Sequence, residues 1–443
     1  MIRIAELIKQ DLRQEITVRQ LFAWAFYDFA NSGFSTVVIT AVFSAYFVSV
    51  VVANADWGPL LWTTALSISY FLNLITAPVL GMITDLRGNR KSMLALSTIG
   101  CCCSTALLSI VGGGDVTLSI VLIILANFFF CTGENLIAAF LPEIAREDSL
   151  GKVSGWGWAI GYLGGLTTLL ISLFYLTSGF FIEPSVGGTM IITALIFSIA
   201  SLPCFYYLNQ FGVDKRSHPT FKGKIFKSLL KSLRQLKNYP DLSKFLFCVS
   251  IYQAGVQAVI TLAAIYAVQV MSFTTSETIT LILVVNITAS LGALTFGQTE
   301  DRIGHKKTLV LTLIGWMLTV VLAYVATDRT LFWISANIAG LSLGASQSAS
   351  RALVAYMSPK GREGEFLGFW GLAVKLSSIL GPISYGLVVW LTGGGHREAL
   401  LGLILYFIIG VLVLVSVNVG QGRTNAISRS ASKFQAGRGS TGC

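Results

Sequence analysis

The sequence predicts an all-α membrane protein, twelve transmembrane helices in two parallel six-helix halves, on the strength of three observations. Of its 443 residues, 54% are hydrophobic and 12% charged, whereas a typical soluble domain is about 25% charged. Apolar runs recur along the chain, most exceeding the roughly 20 residues that a bilayer core requires, and mean hydropathy is +0.73. Finally, GMITDLRGNRK at 81–91 aligns without gaps onto GQTEDRIGHKK at 297–307, an internal repeat expected of a chain built from two like halves.

The first element is expected over 1–20, where Ile4, Leu7, Ile8, Leu12 and Ile16 recur at helical spacing among Arg3, Lys9, Arg13 and Arg19. That pattern suits a short amphipathic helix on the cytoplasmic membrane surface. The apolar segment that follows is long enough to span, unlike the short core of a cleavable signal. Spans are then expected at about 21–52, 61–84, 91–111, 117–140, 153–178 and 188–208, forming a first bundle over 21–208. A second bundle over 243–419 has spans at about 243–271, 276–299, 307–326, 331–357, 364–391 and 396–419. Between them, 209–242 is a basic cytoplasmic linker with Lys215, Arg216, Lys222, Lys224, Lys227, Lys231, Arg234 and Lys237. Its Phe226, Leu229, Leu230, Leu233 and Leu236 repeat at helical spacing, which suits a helix under the inner leaflet. Residues 420–443 are rich in Ser, Gly and Arg, the composition of a disordered cytoplasmic tail.

Charge placement sets the expected orientation. Of 31 Lys and Arg, Arg329 and Arg397 fall in odd-numbered loops and Lys375 within a span. The rest, counting Arg351 at a helix end, lie at the N-terminus, in even-numbered loops and in the tail, which places both termini in the cytoplasm. The net charge of +10 therefore reflects contact with anionic lipid headgroups and not with nucleic acid.

Cysteine spacing and catalytic motifs exclude several classes. Cys101, Cys102, Cys103, Cys131, Cys204 and Cys248 sit in or beside apolar segments, and Cys443 is terminal. None has metal-ligand spacing, so no metal and no cofactor are expected. No Walker A, G-x-S-x-G or H-E-x-x-H sequence is present, which argues against an ATP-driven pump or an enzyme.

The repeated segment preserves Gly81/Gly297, Asp85/Asp301, Gly88/Gly304, Arg90/Lys306 and Lys91/Lys307, each copy linking the second and third spans of its half. Glycine allows close helix approach and tight turning. Aspartate at a helix end can pair with bases or cap a neighbouring helix N-terminus. The pattern resembles the loop motif of the major facilitator superfamily, and the resemblance implies that these residues gate the cytoplasmic side. Within that superfamily, WAFYDFANSGF (24–34), FLPEIA (140–145), GASQSASRALVAYMSP (344–359) and FLGFWGLAVKLSSILGP (366–382) are similar to the vacuole-effluxer-like branch. That branch includes fungal autophagy-linked amino-acid effluxers and bacterial relatives. One departure is Tyr252-Gln253-Ala254-Gly255, where Ala254 stands in place of the branch's acid.

Ionisable groups inside a span cost about 2.5–3.5 kcal/mol on insertion scales, so they face protein or water. Asp28, Asn31 and Ser35 share one helix face with Trp24, flanked by Tyr27. The other intramembrane polar candidates are Glu134, Asn135, Gln253, Gln257, Asn286, Gln347, Arg351 and Lys375. By the resemblance, helices one, four, seven and ten line a central cavity and carry most of these. Asp28 could bind solute or pair structurally with Arg351 or Lys375. Lys375 calls for a buried partner or a bound anion. Gln253 and Gln257 could hydrogen-bond a zwitterion or each other. For proton coupling, Asp28 or Glu134 is the expected carrier. His305 and His396 lie in loops, outside any transmembrane relay.

The expected function is secondary active transport of a small polar solute, amino acids first, by alternating access, with protons as a possible coupling partner. The expected setting is a monomer in a bacterial inner membrane, in contact with membrane lipids. A lipid or lysolipid flippase is the alternative.

Overall fold

The computed structural model describes residues 8–53, 57–178, 185–208, 234–393 and 395–428, which are helical throughout their long segments. In chain order the helices are α1 (Val18–Phe34), α2 (Gly58–Arg87), α3 (Arg90–Leu107), α4 (Val116–Ala138), α5 (Leu150–Thr177) and α6 (Val186–Tyr207). The second set is α7 (Pro240–Gln269), α8 (Thr275–Ile303), α9 (His305–Val325), α10 (Arg329–Met357), α11 (Glu363–Leu391) and α12 (Ile404–Val415). Among the described residues, eleven segments are long and apolar enough to cross a membrane, the first running on from α1 to Val51 and the last taking in His396–Gly402 before α12. The remaining one, α10, has the same 29 residues as α11 but carries five serines, Asn337, Gln347 and Arg351. Its polarity is tolerable because most of it is buried in protein.

Helix ends follow local chemistry. Thr17 accepts the Gln20 N–H while the Gln20 side chain accepts from the Thr17 backbone, a reciprocal cap that starts α1. Thr274 and Glu277 repeat the device at α8. Gly88 ends α2 at φ +62°, a left-handed conformation that glycine adopts without strain. Beyond Phe34 the first span continues as wide π-helical turns at Ser35–Ala41 and Phe47–Val51, on either side of Phe43–Tyr46.

Two apolar cores form, one in each half. Trp24, Phe34, Phe43, Ile123, Phe140 and Val153 lie in the first; Phe245, Tyr252, Leu313, Trp316 and Phe407 lie in the second. Large apolar side chains such as Ile199, Leu412 and Trp390 remain on the outside, where hydrocarbon replaces water as their surroundings.

The halves meet through α2 against α11 and through α5 against α8 and α10. Small residues allow this approach. A Cβ at Gly81 would lie 2.1 Å from the Gly364 carbonyl oxygen, and one at Gly155 would lie 2.3 Å from that of Ala293. The polar contacts between halves gather on the side holding the two repeated loop segments, and reach as far as Ser290, whose Oγ donates to the Ala159 carbonyl. That side of the molecule, called the motif side below, is closed.

Two expected boundary elements differ. Within 8–17 only residues 8–10 are helical. Leu12 pairs with Ala145 as an antiparallel bridge, and Leu12 and Ile16 are each 2% exposed. Their apolar spacing serves the first core instead of a lipid surface; residues 1–7 lie outside the described residues. At the other end, residues 419–428 are helical instead of disordered. Arg423 anchors this helix by donating to the Tyr356 carbonyl and pairing with Glu147. The linker over 209–233 and the tail over 429–443 lie outside the described residues.

Close helix packing gives a direct stability test. A Cβ at Gly344 of α10 would sit 1.8 Å from the Ala289 carbonyl of α8, whereas one at Gly386 meets nothing within 4 Å. Gly344→Ala should destabilise the protein by about 1–3 kcal/mol and lower its thermal midpoint in detergent, while Gly386→Ala leaves the midpoint unchanged.

Candidate solute-binding and gating site

Two ion pairs cross between the halves inside the membrane-spanning region. The first joins Asp28 of α1 to Arg351 of α10, Oδ2 to Nη1, at 2.8 Å. Arg351 also donates from Nε to the Ser154 hydroxyl at 3.1 Å and from Nη2 to the Ser154 carbonyl at 2.9 Å. Its guanidinium lies 4.9 Å from the Trp24 ring centroid and 5.3 Å from that of Trp158, a cation held against two aromatic faces. Gly157 makes room, since a Cβ there would fall 2.7 Å from both Arg351 Nη2 and Asp28 Oδ2.

The second pair joins Glu134 of α4 to Lys375 of α11 at 2.9 Å. The Lys375 ammonium also sits 5.5 Å from the Tyr70 ring and 5.6 Å from the Phe130 ring. Lys375 has 8% of its side chain exposed, while Glu134 has 25%, so the carboxylate is the accessible end of the pair. Both acids belong to the first half and both bases to the second. Removing one partner of a buried pair leaves an uncompensated charge in a low-dielectric interior, which is strongly unfavourable.

The residues of the two repeated loop segments form two related contacts on the motif side. Asp85 accepts the backbone N–H groups of Gly364 and Glu365 at 3.2 and 3.0 Å, so it caps the start of α11 across the interface. Asp301 accepts those of Gly151 and Lys152, both at 2.9 Å, and caps the start of α5. In each case a carboxylate meets the positive end of a helix dipole from the other half. The supporting bases differ. Arg90 pairs with Asp85 at 2.5 Å and Glu143 at 2.6 Å. Lys306 instead donates to the carbonyls of Val415 and Val417 at 2.7 and 2.8 Å, closing the end of α12. Gly297 lies where a Cβ would come 2.8 Å from the Gly151 carbonyl, and Gly304 turns the chain at φ +93°. Lys91 is half-buried and Lys307 exposed.

A family model described as "Vacuole effluxer Atg22 like" matches residues 61–427. The chain belongs to this family. The uncharacterized MFS-type transporter YxiO of Bacillus subtilis is 28% identical over 410 residues, covering 90% of this chain and 95% of that protein. Autophagy-related protein 22 of Vanderwaltozyma polyspora is 26% identical over 378 residues, covering 74% and 72%. Among solved structures, the human organic anion transporter MFSD10 superposes with a TM-score of 0.72 at 14% identity, covering 89% of this chain and 98% of its own. The fold is thus that of the major facilitator superfamily, and the protein is an integral membrane transporter of that type.

This Atg22-like chain brings together some of the residues expected at its site and separates others. Asp28, Glu134, Arg351 and Lys375 form the central pairs just described. Asn31 is 5% exposed, and neither atom of its amide has a partner. Asn135 donates to Asn73 at 3.0 Å and faces α11, where a Cβ at Gly371 would meet its Oδ1 at 1.8 Å. Gln253 donates to Gln347 at 2.9 Å, so its partner is on α10 and not its own-helix neighbour Gln257, which is half-buried. Ser35 is half-buried at the start of the π-helical turns. Tyr27 turns away from the interface into the first half, bonding Thr98 at 2.8 Å beside Phe197 and Phe205. Asn286 donates to the Ile282 carbonyl of its own helix.

Sequence reasoning missed Tyr70, Phe130, Trp158, Ser154 and Glu143. Aromatic side chains within an apolar span carry no periodic signal of their own. The run of glycines at 155, 157, 161, 164 and 165 in α5 is a close-packing signal that the sequence reading did not use. Glu143 stood in view within FLPEIA, but its partner Arg90 was assigned only to the loop motif.

The central pair predicts a thermodynamic cycle. Arg351→Met or Asp28→Asn alone should each cost about 3–5 kcal/mol, because each strands a buried partner. The double variant should recover most of that loss. Equilibrium unfolding in mixed detergent measures the coupling; additive single losses would show that the pair is energetically idle.

Proposed function

We propose that this transporter moves a small zwitterionic solute, with amino acids the first class, by alternating access between the two halves. The observation that carries the reading is the segregation of charge: Asp28 and Glu134 lie on one half, and Arg351 and Lys375 on the other. Opening the motif side separates each acid from its base. A solute bearing one ammonium and one carboxylate supplies the missing partner to each half during that change. Its ammonium faces Asp28 or Glu134, and its carboxylate faces Arg351 or Lys375. Asn31, with an unpartnered buried amide, and Gln253 with Gln347 offer further hydrogen bonds.

The two loop segments act as gates in this scheme. Asp85 and Asp301 hold the motif side shut through the N-termini of α11 and α5. The charge asymmetry of the loops supports a cytoplasmic motif side with both termini on it, and in this reading the membrane is a bacterial inner membrane. Substrate-dependent opening would then connect the site to the cytoplasm, and export follows when solute loads from that side. Proton coupling fits the same geometry, since a proton on Asp28 or Glu134 neutralises the acid left behind when its base withdraws.

Purified protein in proteoliposomes tests the reading. Wild type should accumulate a radiolabelled amino acid against an imposed proton gradient, while Asp28→Asn, folded by size-exclusion profile, should only exchange or lose uptake altogether. Undiminished gradient-driven accumulation by Asp28→Asn would remove Asp28 from the coupling step.

A further inference from the structure

The two gates share a plan but differ in one titratable pair. With the repeat in register, Thr84 and Asn89 of the first copy correspond to Glu300 and His305 of the second. Thr84 only bonds back to its own helix, through the Gly81 carbonyl. Glu300 instead meets His305, Oε1 to Nδ1, at 2.5 Å, with the Glu300 side chain 0% and the His305 side chain 11% exposed. The other oxygen, Oε2, is buried without a hydrogen-bond partner. It points at the first half, because a Cβ at Gly151 would meet it at 2.6 Å and Asp301 Oδ1 at 2.8 Å. Two carboxylates therefore converge on the start of α5, and the imidazole is the group placed to neutralise one of them.

The other charged groups around the pair are already engaged. On α9, Lys306 is drawn to the end of α12, and Lys307 is exposed. On α8, Arg302 is exposed. On α5, the Lys152 ammonium pairs with Asp11 at 2.5 Å, and its backbone N–H serves Asp301. On α10, the Tyr356 ring packs 5.1 Å from the His305 ring, and Arg423 lies over the same tyrosine while pairing with Glu147. The first gate has a permanent cation, Arg90, between Asp85 and Glu143. The second relies on an imidazole, whose charge changes near neutral pH.

We propose that Glu300 and His305 form a proton-binding site built into the second gate, so that closure of the motif side takes up a proton. With His305 protonated, the pair is neutral and Asp301 has the α5 N-terminus to itself. Loss of that proton leaves Glu300 and Asp301 as adjacent carboxylates against Gly151, with Glu300 buried and unpaired. Opening of the interface hydrates Glu300 and relieves the repulsion. The closed state therefore binds the proton more tightly than the open state. By linkage, closure is favoured below the titration of the pair and weakens as pH rises through it. This site is distinct from the coupling acids proposed above and does not depend on the identity of the solute.

The test is a distance measurement between spin labels at Arg146→Cys and Lys360→Cys, both exposed and on opposite halves of the motif side. Cys102, Cys103 and Cys443 are replaced by serine, and Cys101, Cys131, Cys204 and Cys248 are buried, which leaves two label sites. Across about pH 5.5 to about 8.5, the ratio of closed to open populations should fall about tenfold, the change given by a one-unit difference in proton affinity between the states. His305→Asn, which installs the residue of the first copy, should flatten the response with the open state enriched. His305→Arg should flatten it with the closed state enriched, so one variant suffices should the other fail to fold. His396→Asn should keep the wild-type response. A pH-independent wild type, or a pH response that survives in either His305 variant, would overturn the proposal; neither result bears on solute class or on Asp28.

Discussion

Charge inside a membrane protein needs a partner, and this transporter distributes the partners across the line along which it must open. Among the described residues, neither Asp28 nor Arg351 is compensated within its own half by an opposite charge at contact distance, and the same holds for Glu134 and Lys375. The halves are therefore joined by interactions that cannot be lost cheaply, in a region where water does not reach freely. Much of the surrounding architecture serves that arrangement. The glycines of α5 let α1 and α10 approach near Trp24 and Trp158, and Gly157 leaves the volume that the Asp28–Arg351 contact occupies. The burden is heavier because both pairs sit against aromatic rings instead of solvent.

The repeat gives two interface contacts with a common core and divergent supports. Each places an aspartate at the N-terminus of a helix in the other half, a contact that depends on backbone N–H groups and so survives changes of side chain around it. What surrounds that contact has drifted. In the first copy Arg90 binds two acids and joins Asp85 to Glu143. In the second, the corresponding Lys306 has been recruited to the end of α12, and the acid–histidine pair takes its place beside Asp301. The result is a chemical asymmetry between two contacts that look alike in sequence.

The fold was legible because its signals are collective. Long apolar runs, the loop charge bias and an ungapped repeat each sum over many residues, and no single helix contact had to be known. The twelve-span reading holds even for α10, whose polarity reflects burial in the protein. Local placement was harder. Leu12 and Ile16 have the spacing of an amphipathic helix, but periodicity reports only that an apolar face needs cover, and the cover turned out to be the first core. The tail illustrates the same limit, since composition alone could not reveal that Arg423 has a carboxylate and a carbonyl to bind. At the site, residue types were legible but pairings were not. Asp28 had two candidate bases more than 300 positions downstream, and helix docking chose between them. Tyr27 shared a sequence neighbourhood with Asp28 yet points into its own half, because adjacent helical residues diverge by about 100°.

Ala254 shows how far the missing acid alters the picture. It is fully buried where α7 and α11 nearly touch, with its carbonyl 2.0 Å from where a Cβ of Gly381 would lie. A carboxylate at 254 would be enclosed within the second half and would need a base there. Lys375, on the same helix as Gly381, is committed to Glu134. At the two central pairs the second half thus contributes the bases and the first half the acids, with no acid at 254 to blur that division. With Ala254 uncharged, Asp28 on α1 is the acid that meets Arg351 of the second half. In the folded protein Glu134 joins it from α4, more accessible and paired separately, so each half presents two like charges to the other. Among the described residues, the charges of these two central pairs are balanced across the interface and not within either half.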